Sequence, residues 1–370
     1  MSTEAATTIE TVFPGLPEYL ITRFGIEAKK ATIEPLRGAD PSIKGCGYGM
    51  PFLICWPARE GTRRIVLETV RPGEFGHEDR SDRAGLVLRA FDDSAGLPSH
   101  VRAIDAGAFL SNGKGVSLAR SREFFLISEL AEGRPYAEDF ERIRETGRLE
   151  AKDEERAVVL AEYLAAIHRE PVSHPSWYRR RLRDLAGAGE GVAGIADSYP
   201  AQNGFVTSDL LRRIETRVIN WRYALKERSD RLRTVHGDFH PWNILFRDRS
   251  ELTVLDRSRG ALGEPADDVA ALAINYLFFA LKSTAQFRGP FADLFRIFWE
   301  RYLRATKDDE LGQVIAPFFA FRALVLANPV WYPHEHESTR RQLFRFLFAV
   351  LDSPRFELDE IPAYVERDFS

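Results

Sequence analysis

Cysteine is scarce in this sequence: Cys46 and Cys55 are the only two among 370 residues. A framework of several disulfide bonds is therefore excluded as the basis of its stability. Sparse cysteine is typical of a reducing compartment, and residues 1–15 lack the basic start and the apolar run of a signal peptide. We therefore expect a cytoplasmic protein.

Positive charge is not in excess either. The formal net charge is −4 at pH 7, which argues against sequence-independent nucleic-acid binding because such binding needs a basic surface. The longest apolar stretch, residues 316–333, is interrupted by Arg322 and ends in prolines, so it predicts a core helix rather than a membrane span. We expect neither a nucleic-acid partner nor a membrane partner.

Short strand-like segments dominate the first 130 residues. They are rich in β-forming residues, and turns that contain glycine or proline separate them. One segment with helical periodicity interrupts the series. The predicted elements, in chain order, are strands at 31–38, 51–56 and 64–70, a helix at 77–91, and strands at 100–110 and 123–130.

The rest of the chain has mainly helical periodicity. Residues 153–169 predict an amphipathic helix, an arginine-rich helix is expected at about 207–228, and helices continue from Pro265. These patterns predict an α+β protein with two lobes. The first, at 1–130, is a small antiparallel sheet with a glycine-rich loop and one helix, and the second, at 131–370, is mostly helical.

The segment VHGDFHPWNILF, at 235–246, concentrates polar groups between apolar residues. One interpretation is the metal site of a zinc or iron hydrolase, with His236, Asp238 and His240 on one side of a strand. Another is a loop whose polar side chains cap the backbone. Neither interpretation accounts for the ordered pattern that comes next.

Asn243 lies five residues after Asp238, and a predicted strand, ILF, follows it directly. RDRSE then predicts a turn, and LTVLD predicts a returning strand that ends in Asp256. We expect this hairpin to bring Asp256 back beside Asn243 and Asp238. Two carboxylates and one carboxamide offer only oxygen ligands, which suit Mg²⁺ better than zinc.

The stretch HGDFHPWNILF, followed by LTVLDRSRGALGEPADDVA, resembles the aminoglycoside phosphotransferase and choline kinase family. The family pattern is HGDxxxxN, an aspartate after a strand, and then G-x-P-x-x-D-[LV]-A, and the match is specific over about 235–270. The resemblance implies a bilobal protein-kinase-like fold. It also implies an ATP- and Mg²⁺-dependent phosphotransferase that moves the γ-phosphate to a hydroxyl of a small molecule.

The same resemblance assigns roles to individual residues. Asp238 would be the base or the orienting carboxylate for the substrate hydroxyl. Asn243 and Asp256 would hold Mg²⁺ against the nucleotide phosphates. His236 is interpreted as a structural residue of the loop. Asp268 matches the family's helix-start aspartate, although a favourable interaction with the helix dipole would explain it equally well.

On the nucleotide side, the resemblance implies a glycine-rich flap between the first two strands and a hinge near 126–133 that binds adenine through its backbone. A plain hairpin loop is the alternative to the flap. The positions concerned are Lys44, Gly45, Gly47, Gly49, Glu68, Glu129, Leu130 and Ala131.

Glu68 departs from the family pattern, because kinase-like proteins carry a phosphate-binding lysine in the middle of the third strand. At about 4 Å, two like charges repel by about 4 kcal/mol at an effective dielectric constant of 20. Lys44 would supply the missing cation, or Arg83 or Arg80 would pair with Glu68. The remaining alternative is a pseudokinase, a nucleotide-binding or scaffold protein of the same fold.

The acceptor is not indicated by the sequence. Residues at about 173–230 are an expected substrate-binding insertion and are rich in arginine, which would suit an acidic acceptor. Acidic segments at 308–310 and 356–369 would instead suit a cationic one. These signals conflict, so we expect a small hydroxyl compound of undefined class. No pattern indicates the oligomeric state.

Overall fold

A computed structural model describes residues 13–26, 30–36, 49, 51–201 and 204–369. The chain divides into two compact units, Met1–Ser128 and Glu129–Ser370.

The first unit is built on a three-stranded antiparallel sheet with the strand order β1–β2–β3. Leu16 and Leu20 of a short helix pack with Ile26 and Ile54 into a small apolar core. The elements, in chain order, are α1 (Leu16–Phe24), β1 (Thr32–Pro35), β2 (Phe52–Ala58), β3 (Gly61–Leu67), α2 (Arg80–Asp93), β4 (Gly107–Phe109) and β5 (Gly115–Ser117).

Three features of the first unit differ from the prediction. Helix α1 and strand β5 were not predicted. The predicted strand at 123–130 is wrong, because these residues form neither a helix nor a strand. Their side chains are largely exposed, with Phe125 at 86% and Leu126 at 91%. Strand-forming residues need a neighbouring strand to complete their backbone hydrogen bonds, and β4 pairs instead with β5 at 115–117.

The second unit is mostly helical. Its elements are β6 (Arg134–Pro135), α3 (Tyr136–Thr146), α4 (Ala151–Ile167), α5 (Pro175–Gly187), α6 (Val192–Asp197), α7 (Ser208–Leu225), β7 (Arg233–Thr234), β8 (Ile244–Phe246), β9 (Leu252–Val254), β10 (Leu262–Gly263), α8 (Pro265–Thr284), α9 (Pro290–Thr306), α10 (Leu311–Val314), α11 (Ala316–Leu326), α12 (Glu337–Leu351) and α13 (Ile361–Glu366).

Helix α8 lies in the core of this unit, since nearly all of its residues from Pro265 to Leu281 are buried. Its apolar side chains pack with those of α9, α11 and α12. Burial on all sides explains why its sequence, ALAINYLFFAL, is apolar almost throughout rather than along one stripe. The buried helix gives the loops at its N-terminal end a rigid support.

Helices and small antiparallel sheets together confirm the predicted α+β class. Residues 316–326 form the expected core helix, and Arg322 is buried within it. In the part of the chain that the structure describes, no helix combines the length and the apolar character needed to cross a membrane.

Candidate active site

Residues 235–243 form a loop between the short strands β7 and β8 of the second unit. Strand β7 pairs with β10, and the amide of Val235 donates to the carbonyl of Ala261 at 3.0 Å, which ties the start of the loop to the segment before α8. The loop ends in a single turn of 3₁₀ helix at Pro241–Asn243 and passes directly into β8. Both ends of the loop are therefore anchored by backbone hydrogen bonds.

Asp268, in the first turn of α8, holds the middle of this loop. Its carboxylate is fully buried and accepts hydrogen bonds from the amides of His236 and Gly237, both at 2.7 Å. The Nε2 of His168 lies 3.1 Å from the same carboxylate. Burial raises the pKa of Asp268, but His168 and the two amides outweigh burial and lower it overall. The carboxylate is therefore ionised at neutral pH.

The Asp238 carboxylate is held among cationic side chains. The Nη1 of Arg322 donates to Oδ1, while the Nε of Arg259 and the Nε2 of His240 both lie 3.6 Å from Oδ2. Burial raises the pKa of Asp238, but the His240 imidazole and the charges of Arg322 and Arg259 hold that pKa well below its usual range. At 3.6 Å, these two groups lie beyond ordinary hydrogen-bond distance from Oδ2.

Asn243 and Asp256 are brought close by the β8–β9 hairpin. Ile244 pairs with Val254, and the amide of Leu255 donates to the carbonyl of Asn243 at 2.8 Å. The side-chain amide of Asn243 donates to the carbonyl of Asp238 at 3.1 Å, which leaves its Oδ1 available as a ligand. One side-chain and one backbone hydrogen bond thus connect the segments that carry Asp238, Asn243 and Asp256.

Asp256 has an unusual conformation and free oxygens. Its φ is 55°, in the left-handed region that only a few non-glycine residues adopt, and such strain concentrates at functional sites. The side chain is exposed, and among the described residues it makes no hydrogen bond or ion pair. The Asp256 carboxylate and Oδ1 of Asn243 both offer oxygen atoms, the ligand type that Mg²⁺ prefers in proteins.

The histidines of the loop do not form a metal centre with their neighbours. His236 is buried, and its Nδ1 accepts a hydrogen bond from the amide of Asp238 at 3.2 Å, which matches the structural role expected for it. Within the described ranges, no group of three or more His, Cys, Asp or Glu residues is placed to hold a metal ion.

Only some of the predicted nucleotide-binding residues lie in the part of the chain that the structure describes. Lys44, Gly45 and Gly47 lie outside the described residues. At Gly49, a Cβ atom would lie 1.7 Å from the carbonyl oxygen of Thr69, so close backbone packing explains the glycine there. Glu129, Leu130 and Ala131, the predicted hinge residues, lie in a segment without regular structure, and Leu130 is 92% exposed.

Glu68 lies one residue past the end of β3, with its side chain exposed. The ion pair with Arg80 or Arg83, one of the alternatives for Glu68, does not form in the described part of the chain. Arg83 donates instead to the carbonyl oxygens of His77 and Glu78, at 2.9 and 3.0 Å, close to the start of α2. The charge of Glu68 is therefore not neutralised by this helix.

Some of the charged residues behind the conflicting substrate signals form ion pairs within the second unit. Arg231 donates to Asp308 at 2.7 Å, and its Nη1 lies 3.4 Å from Glu310. In the predicted insertion, Arg217 pairs with Asp352 at 2.7 Å. These charges stabilise the second unit, so they do not indicate whether an acceptor is acidic or cationic.

Sequence reasoning missed several residues that surround Asp238. Arg322, Arg259 and Phe321 form one group, since both guanidinium groups lie over the Phe321 ring, at 5.0 and 5.5 Å from its centroid. Tyr332 is also near, because burial and the charge of Asp238 raise its pKa to about 12. The sequence did contain one signal for Arg322, because an arginine within an apolar helix must find a partner when it is buried.

Comparison with known proteins gives one family. A model described as the phosphotransferase enzyme family matches residues 66–307, more than half of the 370-residue chain. No curated protein matches at a significant level.

Several solved structures match this chain over most of its length, but with low sequence identity and low TM-scores. The chain is 14% identical to amicoumacin kinase hAmiN in complex with AMP-PNP, Ca²⁺ and Ami, with 91% of this chain and 93% of that chain covered and a TM-score of 0.38. A choline/ethanolamine kinase family protein from Mesorhizobium loti is 12% identical, with 90% and 92% covered and a TM-score of 0.38.

A glucosamine kinase in complex with glucosamine, ADP and inorganic phosphate is 15% identical, with 96% of this chain and 83% of that chain covered and a TM-score of 0.39. Because these sequence identities and TM-scores are low, the family assignment rests on the family model alone. That model spans the segment 235–246, the β8–β9 hairpin and the first turn of α8. The chain therefore belongs to the phosphotransferase enzyme family.

Proposed function

We propose that this protein is an ATP- and Mg²⁺-dependent phosphotransferase that transfers the γ-phosphate to a hydroxyl group of a small molecule. The observation that carries the proposal is the linked set of Asp238, Asn243 and Asp256. One backbone hydrogen bond joins the hairpin to Asn243, and one side-chain hydrogen bond joins Asn243 to Asp238. These links support a proposal in which Asp238 orients the acceptor hydroxyl while Asn243 and Asp256 offer oxygen ligands to a hard divalent cation.

The role of Asp238 follows from its surroundings. Oδ1 is engaged by Arg322, whereas Oδ2 has two cationic groups at 3.6 Å, beyond hydrogen-bond distance. Oδ2 would accept a hydrogen bond from the acceptor hydroxyl and orient its oxygen toward the γ-phosphorus. It would take the proton as the new phosphorus–oxygen bond forms.

Asn243 and Asp256 would hold Mg²⁺ through Oδ1 and the carboxylate. An ion bound there supplies charge neutralisation on the nucleotide phosphates. The protein contributes a fixed Asn243, which donates to the Asp238 carbonyl at 3.1 Å, and an Asp256 carboxylate without a competing partner among the described residues.

Replacing Asp256 by asparagine is expected to raise the Mg²⁺ concentration for half-maximal ATP turnover at least tenfold, because the strongest anionic ligand is lost. Asparagine tolerates the left-handed backbone, so the hairpin should keep its conformation. Asp248→Asn, in the turn of the same hairpin, is the matched control and should leave the Mg²⁺ dependence unchanged. Equal Mg²⁺ curves for all three proteins would remove Asp256 from this role.

The proposed activity is tested by incubating the protein with Mg²⁺ and γ-labelled ATP in the presence of sugars, amino sugars, amino alcohols and hydroxyl-bearing antibiotics. Label transferred to an organic hydroxyl is the expected result. A melting temperature that rises with MgATP, together with no transfer and no ATP consumption, would contradict catalysis by this protein.

A second candidate function is that of a pseudokinase, and Glu68 is the observation that favours it. In the sequence pattern, Glu68 stands at the position of the phosphate-binding lysine that the resemblance implies, although it lies just past the end of β3. Its side chain is exposed, and no described residue forms an ion pair with it. A glutamate at that position would repel the triphosphate by about 4 kcal/mol at 4 Å and an effective dielectric constant of 20. Such a protein would bind nucleotide weakly and act through its shape.

Glu68→Lys is expected to raise kcat/KM for ATP at least tenfold, since it replaces repulsion by attraction. Glu68→Gln removes the charge alone and should produce a smaller increase. Both are measured by steady-state ATP turnover at saturating Mg²⁺. A loss of turnover in Glu68→Lys would mean that the native glutamate has a positive role and that another cation serves the phosphates.

A further inference from the structure

Arg322 combines deep burial with a direct contact to the proposed catalytic carboxylate. It lies in α11, where almost every residue is buried, and only 8% of Arg322 is exposed. Its Nη1 donates to Oδ1 of Asp238, and its Nη2 donates to the Gly237 carbonyl and to Oδ1 of Asp267, both at 2.9 Å. One guanidinium group thus contacts two successive loop residues and the first turn of α8.

The geometry fixes one oxygen of Asp238 and leaves the other available. Only a planar guanidinium offers several donors in a fixed arrangement, so a lysine ammonium would not keep all three contacts. The Arg322 guanidinium also lies over the Phe321 ring, at 5.0 Å, which restricts its movement. Oδ1 is therefore held rigidly, while Oδ2 keeps its capacity to accept a hydrogen bond.

We infer that Arg322 is a positioning residue that holds the Asp238 carboxylate in the orientation in which Oδ2 meets the acceptor hydroxyl. The inference rests on the proposed phosphotransferase function. Arg322 does not touch the reacting atoms and acts through Asp238. Misplacing a catalytic group by about 1 Å lowers turnover about 100-fold, so loss of this contact should affect kcat far more than nucleotide affinity.

A purely structural ion pair is the competing account, and the chain offers a matched control for it. Arg231 is 7% exposed and pairs with Glu264 and Asp308 at 2.8 and 2.7 Å, and with the more exposed Glu310 at 3.4 Å. Arg322 pairs with two carboxylates and is 8% exposed. Among the described residues Arg231 has no contact with Asp238, so both Arg→Lys variants disturb a buried ion-pair cluster, but only the Arg322 variant disturbs Asp238.

The kinetic experiment compares the wild type, Arg322→Lys, Arg322→Gln and Arg231→Lys, after thermal unfolding has shown which variants are folded. MgATP is the probe, with water as the acceptor, and phosphate release is measured. The Arg322 variants are expected to lose about 10- to 100-fold in kcat, with KM for MgATP within twofold of the wild type. Arg231→Lys should lower the melting temperature while kcat stays within twofold.

Crystal structures of the folded Arg322 variants provide a readout that does not depend on activity. A rotated or multiply oriented Asp238 carboxylate is expected. An Asp238 that keeps its orientation, or a kcat equal to that of Arg231→Lys, would overturn the positioning role. A wild-type protein without turnover would refute the proposed function, and in that case the orientation of Asp238 alone decides whether Arg322 positions it.

Discussion

Asp238→Asn is expected to lower phosphoryl transfer by about 100- to 10,000-fold, the range typical of removing a general base or an orienting carboxylate. Asparagine has nearly the same shape, so the hydrogen bond of Asn243 to the backbone carbonyl at position 238 should remain. The carboxamide, however, has no negative charge and is not able to take the hydroxyl proton. KM for MgATP should change little, because Asp238 is assigned no contact with the nucleotide.

Loss of fold is the competing explanation for an inactive Asp238→Asn protein. Arg322 would keep two of its acceptors, the Gly237 carbonyl and Asp267, so the guanidinium would not be left unpaired. We therefore expect cooperative thermal unfolding to persist in the variant, with a modest shift. A variant that unfolds like the wild type and also turns over ATP at the wild-type rate would exclude Asp238 from catalysis.

Asp268→Ala is expected to produce the largest loss of stability among single substitutions near the loop, about 3–5 kcal/mol in the free energy of unfolding of the second unit. The fully buried carboxylate is an acceptor for the amides of His236 and Gly237 and a partner of His168. Alanine would leave these groups buried without an acceptor, and each such group costs about 1–3 kcal/mol.

The measurement is urea unfolding followed by tryptophan fluorescence. Five of the six tryptophans lie in the second unit, at positions 177, 221, 242, 299 and 331, so the signal reports mainly on that unit. The exposed Asp309→Asn is the control and should change the free energy of unfolding by less than about 0.5 kcal/mol. Equal unfolding midpoints for Asp268→Ala and the wild type would contradict the assigned role.

The loss of stability caused by Asp268→Ala should depend on pH in a defined direction. The pKa of Asp268 in the folded protein is lowered from its ordinary value of 3.8, so its charged form stabilises the native state. That stabilisation is complete above the ordinary value and is lost as the pH falls through the lower pKa of the folded state. The difference between the wild type and Asp268→Ala should therefore shrink at strongly acidic pH.

Local patterns in the sequence predicted the parts of the fold that local chemistry determines. Strands at 244–246 and 252–254 follow from ILF and LTV on either side of a polar turn. Helix α1 carried a comparable signal that was overlooked, with Pro17 in its first turn and Gly25 in the left-handed conformation at its end. The strand predicted at 123–130 was wrong because residue type alone does not provide a pairing partner.

Long-range contacts set the limit of what the sequence predicts about the candidate site. Asp238 and Arg322 are 84 residues apart, and no periodicity or spacing connects them. Asp268 was open to explanation as a helix-start residue, but its contacts show that it also binds the backbone of the loop 32 residues earlier. Such contacts depend on how helices pack, which is a property of the whole second unit.

A crystal structure of the protein with a non-hydrolysable ATP analogue, and with Mn²⁺ in place of Mg²⁺, would test the proposed metal site, because anomalous scattering locates the ion. We predict an ion coordinated by Oδ1 of Asn243 and the carboxylate of Asp256, with the Asp238 carboxylate facing the γ-phosphate. An ion bound elsewhere, or an Asp238 carboxylate directed away from the nucleotide, would contradict it.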